Sequence, residues 1–147
     1  MSKTKSQNTT NNAIGQLKAD HQKVKGLFDE FEKTNDRGAK VAIVSEALEE
    51  LSIHATVEEE IFYPAVRPEI EDELMNESDE EHHVAKILIA ELEEMDGTES
   101  HYDAKFTVLA ENVRHHIKEE EEEMLPKAQK TEIDFDALGE EMRVLKE

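Results

Sequence analysis

One helical pattern occurs twice in the chain, and this repeat limits the possible folds more than any other feature of the sequence. In each copy a histidine is followed four residues later by a glutamate and ten residues later by a proline. The first copy covers residues 54–64, and the second covers residues 116–126. Because residues four apart lie on one face of an α-helix, each histidine should lie beside its glutamate. The repeat therefore predicts two equivalent helices.

A second pair of helices repeats in the same way. In one helix Asp20 and His21 precede a run of apolar residues at helical spacing. Glu81 and His82 precede a matching run 61 residues later. Each acid–histidine helix precedes one of the His-x-x-x-Glu helices, so the chain consists of two similar helical hairpins. We expect a pseudo-twofold axis to relate the two halves.

Apolar residues at steps of three and four predict four long helices in an all-α fold. They are expected to begin near Ile14, Ala39, Ser78 and His101, and to end at residues 35–38, Pro64, residues 96–97 and Pro126. A short acidic helical piece should precede the third helix, with Ser78 as its cap. Short links imply an antiparallel, up-down four-helix bundle. Residues 133–147 predict a short C-terminal helix that covers one end.

Length and charge narrow the class of protein further. The 147 residues suit one domain, which we place at residues 13–147. Residues 1–12 are polar, without a signal or membrane segment, and are expected to form a disordered tail of a cytoplasmic protein. The net charge of −20 repels phosphate groups and anionic lipids, so we expect no nucleic-acid or membrane partner. The bundle should be a monomer or a weak homo-oligomer.

The repeated histidines and glutamates are predicted to point into the bundle. His21 lies three residues before Val24 and seven before Phe28, which are core positions of the first helix. Burying such polar groups without partners would cost several kcal/mol, and a divalent metal removes that cost. The candidate metal ligands are His21, His54, Glu58, His82, His116 and Glu120.

The ligand types and the repeat predict which metals bind and how. The chain has no cysteine, so the ligands are nitrogen and oxygen, which suit iron, manganese or zinc; we favour iron. We expect two non-haem iron ions, bridged by Glu58, Glu120 and an oxo or hydroxo group. One ion would receive His21 and His54, and the other His82 and His116. Open positions would remain for dioxygen, peroxide or hydroxide.

These motifs resemble those of the haemerythrin-like family, also called the HHE cation-binding domain, over residues 13–145. The resemblance rests on the two acid–histidine pairs, the two His-x-x-x-Glu motifs, and the pairs Tyr63-Pro64 and Leu125-Pro126. It implies a di-iron four-helix bundle. Oxygen-carrying members have a second histidine one turn after the one that corresponds to His82, whereas this chain has Lys86. That difference argues against reversible oxygen carriage.

Several functions fit such a centre. Our leading hypothesis is a di-iron protein that reacts with dioxygen or peroxide; if it is an enzyme, it is an oxidoreductase with catalase- or peroxidase-like activity. The resemblance also implies an alternative, a module that senses or binds oxygen, nitric oxide or iron without turnover, and a second one, iron storage or delivery. A zinc-bound or metal-free structural bundle is disfavoured by the repeated motif.

The remaining polar residues near the motifs are interpreted as structural. His83 and His115 do not match the repeat, and His101 lies at a helix start. Tyr63 is expected to pack at the bundle end rather than reach the site. The glutamates that follow the ligands are expected to be solvated, although a metal entry path or an alternative ligand is the other possibility: Glu59, Glu60, Glu121 and Glu122. Lys25 and Lys86 are expected to extend over the surface rather than pair with a carboxylate near the metals.

Overall fold

A computed structural model describes residues 12–147, and within that range all regular secondary structure is helical. Residues 1–11, and with them nearly all of the predicted disordered tail, lie outside the described residues. The described helices form the antiparallel bundle that the sequence predicted.

The first hairpin consists of α1 (Ala13–Lys33) and α2 (Arg37–Val57). Asn12 caps α1 by accepting a hydrogen bond from the Gly15 N–H, and Asp36 caps α2 by accepting one from the Ala39 N–H. Both caps satisfy backbone donors that a helix start leaves without partners. The predicted break between the first two helices is confirmed, but it covers residues 34–36 rather than 35–38, because Asp36 caps a helix that already begins at Arg37.

The helix does not stop at Val57 but continues through one π-helical turn. This turn, π1 (Glu58–Phe62), passes into α3 (Tyr63–Val66) and then into a 3₁₀ turn (Arg67–Glu69). In π1 the Tyr63 N–H donates to the Glu58 carbonyl, five residues earlier. The backbone remains helical across the turn.

The second hairpin has the same construction. It consists of α4 (Asp72–Glu93), α5 (Tyr102–Glu119), a second π turn, π2 (Glu120–Met124), and α6 (Leu125–Gln129). The link between α4 and α5 contains Gly97, whose φ is +100°. A last helix, α7 (Phe135–Lys146), follows, so the predicted short C-terminal helix is confirmed, and it packs against α1.

Two predicted boundaries were wrong near the prolines. The helices were expected to end at Pro64 and Pro126, but helical backbone continues to Glu69 and to Gln129. Each proline is the second residue of the α-segment that follows a π turn. A proline is tolerated there because its missing N–H would have no α-helical partner.

The predicted start of the third helix was also wrong. Ser78 is buried in the middle of α4 and does not cap it, because the acidic piece before it belongs to the same helix. Asp72 and Glu73 occupy the first turn, where negative charge stabilises the helix dipole. No proline or glycine interrupts the segment between Asp72 and Ser78.

The buried apolar side chains form two separate clusters. One contains Phe28, Phe106 and Leu109, and the other contains Leu17, Phe62 and Met142. Along α1 the order is Leu17, His21 and Val24, so a buried polar residue separates the two clusters. In the other long helices a buried histidine likewise lies between residues of the two clusters. A polar layer therefore crosses the bundle between two apolar regions.

Each helix among residues 12–147 is too short or too polar to cross a lipid bilayer.

Candidate metal centre

All six residues that the sequence singled out lie together in the polar layer. They form two groups whose potential ligand atoms lie within 4.8 Å of one another. The first group contains His21, His54, Glu58 and Glu120, and the second contains Glu58, His82 and His116. Glu58 belongs to both groups. His21 and His54 fall in one group, and His82 and His116 fall in the other.

The first group contains buried polar atoms that lack hydrogen bonds. His21 Nε2 lies 3.0 Å from Glu120 Oε1, and His54 Nε2 lies 3.3 Å from Glu58 Oε2. Among the described residues these four atoms are buried without a hydrogen-bond partner, because their close contacts are not aligned as hydrogen bonds. Such atoms cost free energy unless something else satisfies them. Two imidazole nitrogens and two carboxylate oxygens are a donor set that fits a divalent metal ion.

A residue that was expected to pack at the bundle end contacts the second group. The Tyr63 hydroxyl lies 3.2 Å from both His82 Nε2 and His116 Nε2. It also lies 2.5 Å from Glu120 Oε2 and 3.1 Å from Glu58 Oε1. Tyr63 therefore reaches the site, and the preference for packing at the bundle end was wrong.

The π turn explains why helical spacing did not reveal Tyr63. At about 100° per residue, the fifth residue after Glu58 in an α-helix would point about 140° away from it. The wider π turn brings the fifth residue back to nearly the same side of the helix. The matching residue of the other half is Leu125. Only one half therefore contributes a phenol.

Each of the four histidines uses its Nδ1 N–H to contact a carboxylate outside the centre. The pairs are His54 with Asp20 at 3.1 Å, His21 with Glu121 at 2.6 Å, His82 with Glu59 at 2.7 Å and His116 with Glu81 at 2.6 Å. We call these four acids the outer carboxylates. They orient the rings so that every Nε2 faces the centre, as in many metal sites.

The repeat contained the signal for the outer carboxylates. Asp20 and Glu81 occupy matching positions in the two halves, and so do Glu59 and Glu121. The expectation that Glu59 and Glu121 are simply solvated was wrong, because each accepts a hydrogen bond from a histidine. Glu60 and Glu122 are exposed, as expected.

The two lysines and the three histidines outside the repeat lie in different surroundings. Lys86 Nζ lies 2.5 Å from Glu59 Oε1, so Lys86 is an ion-pair partner of an outer carboxylate. Among residues 12–147, Lys25 makes no corresponding ion pair. His83 and His101 are exposed and belong to neither ligand group. His115 is exposed too, and it lies beside Glu119.

A small cavity adjoins the polar layer. Its volume is about 40 Å³, and its lining includes His54, His82 and His116 together with apolar side chains such as Ala85 and Ile89. About 10–15 Å³ on this measure holds one water molecule. The cavity therefore has room for a molecule of a few atoms next to the candidate ligands.

Electrostatics in the centre favour charged groups despite burial. Burial alone would lower the pKa of His54, but the Glu58 charge and the Asp20 hydrogen bond raise it to about 10. Burial likewise opposes ionisation of Glu58, but the His54 charge and the nearby His116 and His82 imidazoles hold its pKa well below the usual range. The pKa of His116 is raised well above its ordinary value, because the nearby Glu120, Glu58 and Glu81 carboxylates outweigh burial. Protons therefore occupy the centre when no metal is bound.

The metal-free protein is expected to lose stability as the pH rises from about 6.5 towards about 10. His54 has an ordinary pKa of 6.5 and a folded-state pKa of about 10. Its contribution is fully present below 6.5 and disappears as the pH rises through about 10. The slope is about 1.4 kcal/mol per pH unit for each imidazole protonated only in the folded state. Urea unfolding across this range, with and without metal, measures the effect.

A bound metal replaces these protons, so the metal-loaded protein should lack this alkaline loss. Identical pH dependence with and without metal would contradict the assignment of the charged imidazoles.

Comparison with known proteins agrees with this architecture. The family model for the hemerythrin HHE cation-binding domain matches residues 12–128. The fold is similar to the crystal structure of a hemerythrin HHE cation-binding domain-containing protein from Mycobacterium kansasii, with a TM-score of 0.75 and 26% identity. That match covers 92% of this chain and 85% of the other.

A second similarity is more partial. The chain is 28% identical over 105 residues to a DNA nickase of Nostoc sp. strain PCC 7120. The match covers 71% of this chain but 30% of the nickase, so the chain spans less than a third of that relative. Since the family match covers most of the chain and the structural match extends through the bundle, the chain belongs to the hemerythrin HHE cation-binding domain family, and its histidine and glutamate cluster makes it a metal-binding module.

Proposed function

We propose that the protein is a non-haem di-iron protein that reacts with dioxygen or hydrogen peroxide, and that it decomposes peroxide. In this proposal residues 13–147 act as one domain, and the metal ligands are the six predicted residues: His21, His54, Glu58, His82, His116 and Glu120. The proposal of two metal ions rests on Glu58. Its Oε2 lies 3.3 Å from His54 Nε2, and its Oε1 lies 3.0 Å from His82 Nε2. One carboxylate that faces two imidazole groups is suited to bridging two ions.

Iron would supply redox chemistry and Lewis acidity to a bound oxygen species. The chain's own residues bind the ions, orient the ligands and exclude bulk water. The four imidazoles and two carboxylates hold the ions, and the outer carboxylates fix the imidazole rings. The two apolar clusters keep bulk water away from both sides of the layer. The Tyr63 hydroxyl, 2.5 Å from Glu120 Oε2, can donate a proton to an oxygen species in the second group.

The cavity supports a small substrate. Its volume of about 40 Å³ suits dioxygen, nitric oxide or hydrogen peroxide rather than an organic donor. Lys86 is paired with Glu59 at the position where oxygen carriers have a further histidine. Fewer nitrogen ligands leave more positions for the oxidant, which favours peroxide chemistry over reversible oxygen carriage. Binding of the same small molecules without turnover, as in a sensor, is the second candidate, because the cavity would serve either role.

Nucleic-acid chemistry is not proposed for this chain. The nickase relative is matched over 30% of its length, and the net charge of −20 repels phosphate groups.

Metal content, absorption and oxygen release together test the proposal. The chain is purified, loaded with iron, and analysed for metal and for absorption from an oxo-bridged pair. Hydrogen peroxide is then added while dissolved oxygen is recorded. We expect about two irons per chain, one for each ligand group of the centre. We also expect sustained oxygen release, with one dioxygen for every two peroxide molecules consumed. Iron without turnover supports the sensor, and a protein that binds no iron contradicts both candidates.

A further inference from the structure

A third group of potential metal ligands lies outside the candidate centre. It consists of Glu81, His115 and Glu119, whose ligand atoms lie within 4.8 Å of one another. His115 Nε2 is 3.2 Å from Glu119 Oε2 and 3.7 Å from Glu81 Oε2. The His115 side chain is 63% exposed and that of Glu119 is 28% exposed. The group therefore combines one nitrogen and two carboxylates and is open to solvent.

The pseudo-twofold repeat shows that this group is not needed to position a ligand of the centre. Glu81 corresponds to Asp20, and each orients a histidine through its Nδ1. The positions that match His115 and Glu119 hold Ile53 and Val57. Asp20 orients His54 without a neighbouring histidine or glutamate at those positions. His115 and Glu119 therefore add a feature that the structural role of Glu81 does not require.

The two carboxylates of this group also lie unusually close together. Their ligand oxygen atoms lie within 4.8 Å of each other. Two carboxylates at that distance repel unless a proton or a cation lies between them. A divalent ion with imidazole and carboxylate ligands satisfies both acids and His115 at once.

Glu81 connects this group to the candidate centre. One of its oxygens accepts a hydrogen bond from His116 Nδ1 at 2.6 Å, while the other faces His115. Glu81 also lines the cavity beside the centre. The adjacent acidic run at residues 119–123 raises the local concentration of cations.

We propose that Glu81, His115 and Glu119 form an outer site that binds a divalent transition-metal ion and delivers it to the di-metal centre. The delivery step rests on the proposed function, whereas binding at the outer site does not. Water completes the coordination of the ion, because the group faces solvent.

Binding stoichiometry tests the outer site. Mn²⁺ is added to the metal-free full chain, and free Mn²⁺ is measured by electron paramagnetic resonance. We expect the wild type to bind one equivalent more than His115→Gln and Glu119→Gln do. His83→Gln removes an exposed imidazole outside the group, and Glu123→Gln removes one charge of the acidic run; both controls should retain the wild-type stoichiometry. Equal stoichiometry in the wild type and both site variants, or loss in the controls as well, overturns the outer site.

The rate of loading tests delivery. Fe²⁺ is mixed anaerobically with metal-free chain, and filling of the centre is followed after rapid quenching with chelator. We expect His115→Gln and Glu119→Gln to fill the same centre roughly tenfold more slowly, in the range of electrostatic effects on association. Unchanged rates overturn delivery. If the centre binds nothing while the wild type still binds an equivalent that His115→Gln loses, the di-iron function fails and the outer site stands.

Discussion

Replacing Glu58 or Glu120 by glutamine is expected to remove bound metal while the helical fold is retained. Glu58 is fully buried and belongs to both ligand groups, so its loss affects both ions. Glutamine has nearly the same shape but lacks the charge that offsets the metal. Loss of an outer partner costs about 10–100-fold in metal affinity, and loss of a ligand should exceed about 100-fold. Metal analysis after dialysis against a chelator, with circular dichroism for helix content, measures both expectations.

The same glutamate runs provide matched controls. Glu60→Gln and Glu122→Gln each lie two residues after a predicted ligand and are exposed. They remove an equal charge from the same segments, so they should retain full metal content. If Glu58→Gln binds as much metal as Glu60→Gln, the ligand assignment of Glu58 is wrong.

The substitution Gly97→Ala is expected to lower the free energy of unfolding by about 2–4 kcal/mol. Gly97 has a φ of +100°, which L-residues with a Cβ rarely adopt. A Cβ at this position would also lie 2.4 Å from Val41 Cγ2 on α2, so Val41 or the link would have to move. Urea unfolding of the metal-free protein measures this loss without a contribution from bound ions.

Gly26 allows a control of opposite sign. It lies within α1, and a Cβ added there meets nothing within 4 Å. Alanine is the better helix former, so Gly26→Ala should raise stability by about 0.5–1 kcal/mol. A stability for Gly97→Ala equal to or above that of the wild type would show that the α4–α5 link relaxes freely around the new methyl group.

The sequence predicted the bundle and the candidate ligands because both depend on a repeated pattern. A glutamate four residues after His54 is common in so acidic a chain, but its repetition after His116 is informative. Amphipathic spacing then placed these residues inside, and the structure brings all six predicted residues together. The assignment of metals to individual ligands remains a prediction.

The parts that sequence reasoning missed depend on local departures from regular helix geometry or on contacts between helices. Tyr63 reaches the centre because π1 changes the angular spacing after Glu58, and no pattern of period 3.6 contains that information. The role of Glu121 depends on α1 packing near π2, since its partner His21 lies 100 residues away in the chain. Ser78 was misread as a cap because a serine before an apolar run looks the same inside a helix as at its start.

The two π turns also limit how this chain can be aligned with its relatives. Each turn contains one more residue than an α-turn, and both begin at a predicted ligand glutamate. Deleting any one residue between Glu58 and Phe62 would allow an ordinary α-turn, and Tyr63 would then lie four residues after Glu58, still on the same face of the helix. A homologue with one residue fewer between this glutamate and its proline can therefore present a phenol to the site without a π turn, whereas a homologue of equal length needs the π turn, because the fifth residue of an α-helix points about 140° away. In an alignment, a single gap at this point marks the loss of the π turn rather than the loss of the phenol.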